Sequence, residues 1–249
     1  MLHSPENFHL NKSLFSRLLN KLSFGKFEQF NEKIRLKQHM PKDKLLEFYV
    51  DWDSKDFNRI ALVNELIRRS KDQNGLSYLE IGCAGNKLFQ SVHSERKIGV
   101  DPFAGGTHRV TSDEFFSQNS QRFNVIFVDG LHEYQQIRRD VENALNNVVV
   151  GGYIALHDML PRNWIEAHVP CIRQGPWTGD VWKIAFDLIN TKGIEFDVLN
   201  IDYGVGVIKK CKKKINLYKS QELGDEGYTY YSNNRHKLPI IEYETFINY

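Results

Sequence analysis

The chain is short of the features that would place it in an easily recognised class. It carries three cysteines, Cys83, Cys171 and Cys211, in 249 residues, and their wide spacing forms no metal-ligand pattern. So sparse and odd a set suits a reducing cytosol better than a disulfide framework, and the expected location is cytoplasmic. No apolar run approaches the ~20 residues of a membrane-spanning helix. The opening MLHSPENFHL has no basic stretch leading into an apolar one, so no secretory signal is read. Charge of one sign is missing too: 33 Lys and Arg stand against 31 Asp and Glu, and a net +2 gives no case for nucleic-acid binding. There is no internal repeat, no low-complexity linker and no Gly-Lys-Ser/Thr of a P-loop. What remains is an ordinary globular composition, 41% hydrophobic and 26% charged, at a length that suits one α/β domain with additions.

The most informative stretch is FNVIFVDGLHEYQQIRRDVENALNNVVVGGYIALHD, residues 123–158. An apolar run ends in Asp129. A helical pattern follows, with Ile137, Val141, Ala144 and Leu145 on one face. Gly151-Gly152 then leads into a second apolar run ending in His157-Asp158. Strands joined by a helix are parallel neighbours, so their C-terminal ends share one edge of a sheet. Asp129, His132, His157 and Asp158 are therefore expected in one crevice, where open α/β sheets bind ligands.

The core is read over residues 71–210, preceded by a helical extension (1–70) and followed by a tail (211–249). Expected strands are 77–81, 97–100, a short one near 109–111, 124–128, 153–156, 195–201 and 204–208. Expected helices are 86–93, 113–119, 135–147 and 182–191. Only Asp202-Tyr203 separates the last two strands, which suits an antiparallel hairpin. The fold class is α/β: a Rossmann-like, mixed seven-stranded sheet flanked by helices. Near the N-terminus, Leu14, Phe15, Leu18, Leu19 and Leu22 recur at helical spacing among basic residues. Such a helix packs on the domain or on a second subunit, a possible homodimer, or lies on an anionic membrane surface as a peripheral contact. A second helix is expected over 55–70. The run Lys209-Lys210-Cys211-Lys212-Lys213-Lys214 reads as a solvated surface, with attraction of an anionic ligand as the alternative. The tyrosine-rich tail either covers the site or forms a subunit contact.

Two groups of residues suggest chemistry. Gly82 and Gly85 in LEIGCAGN sit where a strand turns into a helix, and Asp101 ends the next strand about 20 residues later, the spacing at which an acid accepts ribose hydroxyls. Ser112 or Asp113 could bond an adenine edge or cap the following helix. The G-x-G-x-x-G fingerprint is incomplete, which argues against a dinucleotide oxidoreductase. In the other half, Asp129, His157 and Asp158 offer ligands for Mg²⁺ or another divalent ion, and His132 is the natural general base. The alternative for Asp129 is capping the helix after it, and for His157 bonding backbone carbonyls. Downstream, Trp177 and Asp180 could hold a polar acceptor, Asp180 alternatively capping a helix near Val181. Arg162 and Arg173 could meet an anionic acceptor.

LEIGCAG, IGVDP, TSDEFF, VIFVDGLHEY, GGYIALHD, PWTGDVWK and YGVGVI, in that order over 78–210, resemble a class I S-adenosylmethionine-dependent methyltransferase. More narrowly, they resemble the bacterial group of glycan and secondary-metabolite pathways. The resemblance implies that Glu80, Gly82 and Gly85 approach the methionine part of S-adenosylmethionine, that Asp101 binds its ribose, that Ser112 and Asp113 flank adenine, and that Asp129 borders the cofactor. Asp129-Gly-Leu-His132 is similar to the metal ligand and base of macrolide-sugar O-methyltransferases, implying an ion at Asp129, Asp158 and His157 and a base at His132. Two departures stand out: His157-Asp158 replaces paired acids, and Ala84 and Asn86 occupy later glycine places. The implied reaction is methyl transfer to a hydroxyl of a small acceptor, a sugar or nucleotide-linked intermediate of surface polysaccharide (capsule or lipopolysaccharide), bound by Trp177, Asp180 and Arg173. Transfer to a phosphoryl-type or nitrogen acceptor, and a non-catalytic nucleotide-binding homologue, are the alternatives.

Overall fold

Residues 26–42, 45–70 and 75–248 are described by a computed structural model. Helix α1 spans Lys26–His39 and α2 spans Arg59–Arg69, its first turn capped by the Asn58 side chain, which accepts from Ile60 N. Between them the described residues are irregular apart from a 3₁₀ turn at Trp52–Ser54, so the helical reading does not hold over 45–58. The basic amphipathic pattern around Leu14–Leu22 lies outside the described residues.

Strand β1 (Ser77–Ile81), helix α3 (Lys87–Ser91), strand β2 (Arg96–Val100), helix α4 (Ser112–Gln118) and strand β3 (Phe123–Val128) follow. Helix α5 (Tyr134–Asn147), strand β4 (Val148–Leu156), helix α6 (Trp182–Leu188) and the hairpin β5 (Ile194–Leu199) and β6 (Val205–Lys210) complete the core. The tail adds α7 (Tyr228–Asn234), the two-residue strand β7 (Ile240–Ile241) and α8 (Tyr243–Ile247).

The sheet has seven strands in the order β2-β1-β3-β4-β6-β5-β7. The first four in that order are parallel, while β6 runs antiparallel to β4 and β5. The seventh strand is not the one expected near 109–111. That segment makes a single bridge, Val100 to His108, and β7 from the tail pairs with β5 instead. The glycines explain the edge: a Cβ on Gly99 would lie 2.8 Å from the Gly106 Cα, so the 102–107 loop, not a strand, closes against β2.

Period-2 alternation gives the sheet two buried faces. Leu79, Ile81, Ile126 and Ile154 pack with Ile137, Val141 and Leu145 of α5 and with Trp182 of α6. Tyr78, Val125, Phe127 and Ala155 pack with Leu62, Val63 and Leu66 of α2 and Tyr243 of α8. The α5 stripe buries the four positions its spacing implied. Among the described residues no helix is long and apolar enough to cross a membrane.

The lysine run is not all solvated. Lys210 is 5% exposed, and its ammonium donates to the Leu145 and Val148 carbonyls at 2.6 and 3.0 Å, closing the end of α5. Lys212, Lys213 and Lys214 are exposed, as expected. Lys210→Met keeps the stem but strands both carbonyls, and should lower the unfolding free energy by about 1–3 kcal/mol in a urea titration; an unchanged midpoint and slope would count against this capping role.

Candidate active site

The C-terminal ends of β1, β3 and β4 lie side by side, because Asp129 N donates to Ile81 O (2.8 Å) and His157 N to Val128 O (3.1 Å). Asp129, His132, His157 and Asp158 do meet there. The His132 Nε2 is 3.3 Å from Asp129 Oδ1 and 3.2 Å from Asp158 Oδ2. The His157 Nδ1 is 3.3 Å from Asp129 Oδ1 and 3.2 Å from Asp158 Oδ1. Asp158 adopts φ +63°, a conformation uncommon outside glycine that the surrounding structure must hold in place.

Two residues that sequence reasoning passed over complete the cluster. Asp202 sits in the β5–β6 turn at φ +45°, 3.5 Å from His157 Nε2. Because β6 is antiparallel to β4, the turn preceding it must arrive at this same edge; that topology was the available signal. Arg59 opens α2, which descends to the start of β1, so its first residue also lies above the crevice. Its Nη1 is 3.7 Å from Asp129 Oδ2 and 2.5 Å from His157 Nε2, and its Nε is 3.6 Å from Asp202 Oδ2.

Electrostatics follow the packing. Burial pushes the Asp129 carboxyl up, but the two imidazoles overcome it and hold Asp129 well below the usual range. For His132 burial opposes the charge, yet Asp158 and Asp129 outweigh it and raise the imidazole to about 9. His132 Nδ1 lies 2.8 Å from the Trp177 carbonyl. A carbonyl only accepts, so Nδ1 carries the proton and Nε2 is the atom turned toward the carboxylates. Asp129, His132 and Asp158 each offer one ligand atom, and these atoms lie within 4.8 Å of one another. The two carboxylates offer hard oxygen donors that suit a divalent ion, and the His132 imidazole, anchored through its second nitrogen, stands beside them with Nε2 toward the same space. His157 falls outside that group and lies among Arg59, Asp202 and the two acids.

The glycine turn divides its roles. Gly82 has φ +83°, and a Cβ there would stand 1.9 Å from the Asp129 carbonyl, so this glycine is required by the protein's own packing. Gly85 faces open space, with nothing within 4 Å of a built Cβ, which leaves room for a ligand. Glu80 is 1% exposed and accepts from the Tyr78 hydroxyl at 2.5 Å. Asp101 is fully engaged: Oδ2 accepts from Cys83 N and Ala84 N, and Oδ1 from Phe103 N and Ala104 N. It ties the glycine turn to the 102–107 loop, and these amide bonds outweigh burial to keep it ionised below the usual range.

Ser112 and Asp113 do not cap α4. Thr111 does, in a capping box with Glu114. Ser112 instead accepts from Gln136 Nε2 at 3.2 Å, beside Asp140, which burial raises to about 6 against bonds from Ser112 and Gln136. Asp129 does not cap α5 either. Asp180 takes that part from a distance, accepting Tyr134 N at 2.6 Å while pairing with Lys183 at 3.0 Å. The Trp177 ring lies beside that of His132, with centroids 5.2 Å apart and planes tilted by 30°. Arg162 is held by Glu166 at 2.6 Å. Arg173 is half-buried and makes no ion pair with the described residues.

Residues 79–159 match the family model described as a methyltransferase domain. The match covers 81 of the 249 residues. No curated protein matches the chain. Several solved structures are similar to it. One is an O-methyltransferase from Bacillus cereus in complex with SAH, at 12% identity and TM-score 0.43 over 73% of this chain and 90% of that one. A second is the SAH-bound methyltransferase PaMTH1 of Podospora anserina, at 14% and 0.40 over 59% and 77%. A third is the methyltransferase MycE of the mycinamycin pathway, in complex with Mg, SAH and mycinamycin VI, at 15% and 0.42 over 74% and 55%.

Two outcomes follow from the site's geometry. Gly82→Ala should lower stability by about 3 kcal/mol or more through clash and left-handed strain, whereas Gly85→Ala should leave thermal unfolding near wild type; equal effects would contradict the division of roles. Burial raises the Glu80 carboxyl from 4.5 to about 7, against the Tyr78 bond. The folded state then holds a proton that the unfolded chain has released, so stability falls as pH rises from about 4.5 to 7 and levels off above. Glu80→Gln should remove that slope and add up to about 3 kcal/mol at pH 8, at about 1.36 kcal/mol per pH unit of the gap. Parallel stability–pH curves for the two proteins would show the assignment to be wrong.

Proposed function

We propose that the chain is an S-adenosylmethionine-dependent O-methyltransferase acting on a hydroxyl of a small polar acceptor. The acceptor class is a sugar or nucleotide-linked intermediate of surface polysaccharide. The observation that carries this reading is the meeting of Asp129, His132 and Asp158 at the sheet edge, beside a glycine turn whose Gly85 faces open space. The match of residues 79–159 to a methyltransferase-domain model supports it.

Bound along that turn, S-adenosylmethionine would supply an electrophilic methyl on a sulfonium, which becomes the thioether of S-adenosylhomocysteine on transfer. The acceptor oxygen gains the methyl and must lose its proton. His132 is placed to take it: its Nδ1 is fixed on the Trp177 carbonyl, so Nε2, which faces Asp129 and Asp158, is the nitrogen that would accept once an ion on those acids offsets the charge that raises the imidazole to about 9. Asp129 and Asp158 would hold a divalent ion, which lowers the pKa of a coordinated hydroxyl. His157, gripped by Arg59 and Asp202, orients both acids. Trp177 fixes the His132 ring, and Gly82 lets β1 approach Asp129 closely enough for the two halves to share one crevice.

A second reading, a non-catalytic homologue, draws on Asp101, whose oxygens are already taken by four backbone amides. Calorimetric titration with S-adenosylhomocysteine separates the two. The methyltransferase reading expects micromolar binding, no heat with NAD, and at least about tenfold weaker binding for Gly85→Val, whose side chain would fill the open space. His132→Ala should bind as wild type while losing roughly 100-fold or more in turnover once an acceptor is in hand. Absence of S-adenosylhomocysteine binding would leave the non-catalytic reading standing.

A further inference from the structure

A surface helix ordinarily turns its apolar stripe inward and its charges outward. Helix α1 does the reverse. Arg35 Nε donates to the Ile172 carbonyl at 3.2 Å, and the His39 ring stands edge-on to that of His168, with centroids 4.6 Å apart. These two residues, one turn apart, mark the side that meets the body, and Glu28, Glu32 and Leu36 are half-buried on that side. Phe30 and Ile34, also one turn apart, lie on the other side and are 60% and 39% exposed.

The exposure continues past the helix. Met40 and Leu46 are each 63% exposed and Tyr49 is 92% exposed, while Leu45 and Phe48 pack inward on the core. The stretch is held to the fold: Phe48 N donates to the Arg162 carbonyl at 2.8 Å, and the Tyr228 hydroxyl donates to the Leu46 carbonyl at 3.0 Å. Among the described residues, five of the ten exposed large hydrophobic side chains fall within residues 30–49. Such a concentration marks a contact surface, unlike apolar residues scattered singly.

Charge selects the partner. On the outward side of α1 the exposed charges are Lys33 and Lys37, both positive, beside the neutral Gln29 and Gln38. The sequence shows the same asymmetry. Residues 1–42 hold eight Lys and Arg against three Glu, and the remainder holds 25 Lys and Arg against 28 Asp and Glu, so the net +2 hides a basic start on an acidic body. A second copy of this chain is the poorer partner, because a two-fold contact through α1 would set Lys33 and Lys37 against their own copies. Apolar side chains flanked by lysines on one helix face fit a bilayer that carries anionic head groups.

We propose that α1 and the 40–49 stretch form a docking face for an anionic phospholipid surface, with Phe30 and Ile34 entering the acyl boundary and Lys33 and Lys37 meeting lipid phosphates. The contact does not depend on the methyltransferase reading, and its failure leaves that reading untouched.

The test is flotation of the full chain with vesicles of phosphatidylcholine alone and of phosphatidylcholine with about 30% phosphatidylglycerol. The expected result is binding to the anionic vesicles at least about tenfold tighter than to the neutral ones, weakening as NaCl rises from about 0.1 to 0.5 M. The double variants Phe30→Ser with Ile34→Ser, and Lys33→Gln with Lys37→Gln, should each weaken that binding about tenfold or more. All four positions are exposed, so the thermal midpoint should stay at the wild-type value. No binding of folded wild type to anionic vesicles, equal binding to both vesicle types, or binding that both double variants retain would overturn the proposal. A dimer in lipid-free sedimentation that the Phe30→Ser, Ile34→Ser variant abolishes would also overturn it, and would assign the face to a second copy of the chain.

Discussion

Three aspartates, Asp129, Asp158 and Asp202, crowd the C-terminal edge of the sheet with little exposure, and carboxylates removed from water must be met by positive charge. Much of the architecture follows from that requirement. Arg59 reaches two of the three acids from the first turn of α2, and the His157 ring lies between all of them. His132 covers the remaining side, held by the Trp177 carbonyl. The backbone yields to the same demand: Asp158, Asp202 and Tyr203 all take positive φ, and Met159 N and Leu160 N bond Gly204 O and Tyr203 O to lock the two strand ends together. Strain concentrated at one edge is tolerable because β1 and β3 beneath it are buried along their whole length and close-packed.

The second half of the crevice is built differently. Asp101, which by spacing alone looks like a free ribose acceptor, is the knot that ties the glycine turn to the following loop. Glycines there answer to two demands, and only one concerns a ligand. Gly82 makes room for the Asp129 backbone, and Gly106 for Gly99. Gly85 alone of these opens onto empty space. Downstream, the 163–180 segment supports His132 through Trp177 and caps α5 through Asp180, so residues that resembled acceptor ligands do part of their service inside the protein.

The parallel core was legible because buried parallel strands are continuous apolar runs and the helix between β3 and β4 carries a clear stripe. From that alone the meeting of Asp129, His132, His157 and Asp158 could be placed. The edges were not legible. A two-residue strand such as β7 has no periodicity to read, and its pairing with β5 is decided by tertiary packing of the tail. Arg59 and Asp202 were missed because each sits in an unremarkable local context, a helix start and a hairpin turn; only the sheet order reveals that both arrive at the same place. Lys210 was hidden in a charge run, where one buried lysine looks like its exposed neighbours. Capping, the alternative to an adenine contact for Ser112 or Asp113, falls to Thr111, where the Glu114 carboxylate completes the reciprocal bond.

The central claim is that the acids at this edge are assembled to hold a divalent ion in a methyl-transfer site. Its most direct test is a calorimetric titration of Mn²⁺ into chelator-treated protein, wild type against Asp158→Asn. The account predicts saturable binding of a single ion per chain, weakened about tenfold or more in the variant. No saturable binding by folded wild type, or binding that Asp158→Asn leaves untouched, would contradict it and leave Arg59 and the two histidines as the cluster's own and sufficient counter-charge.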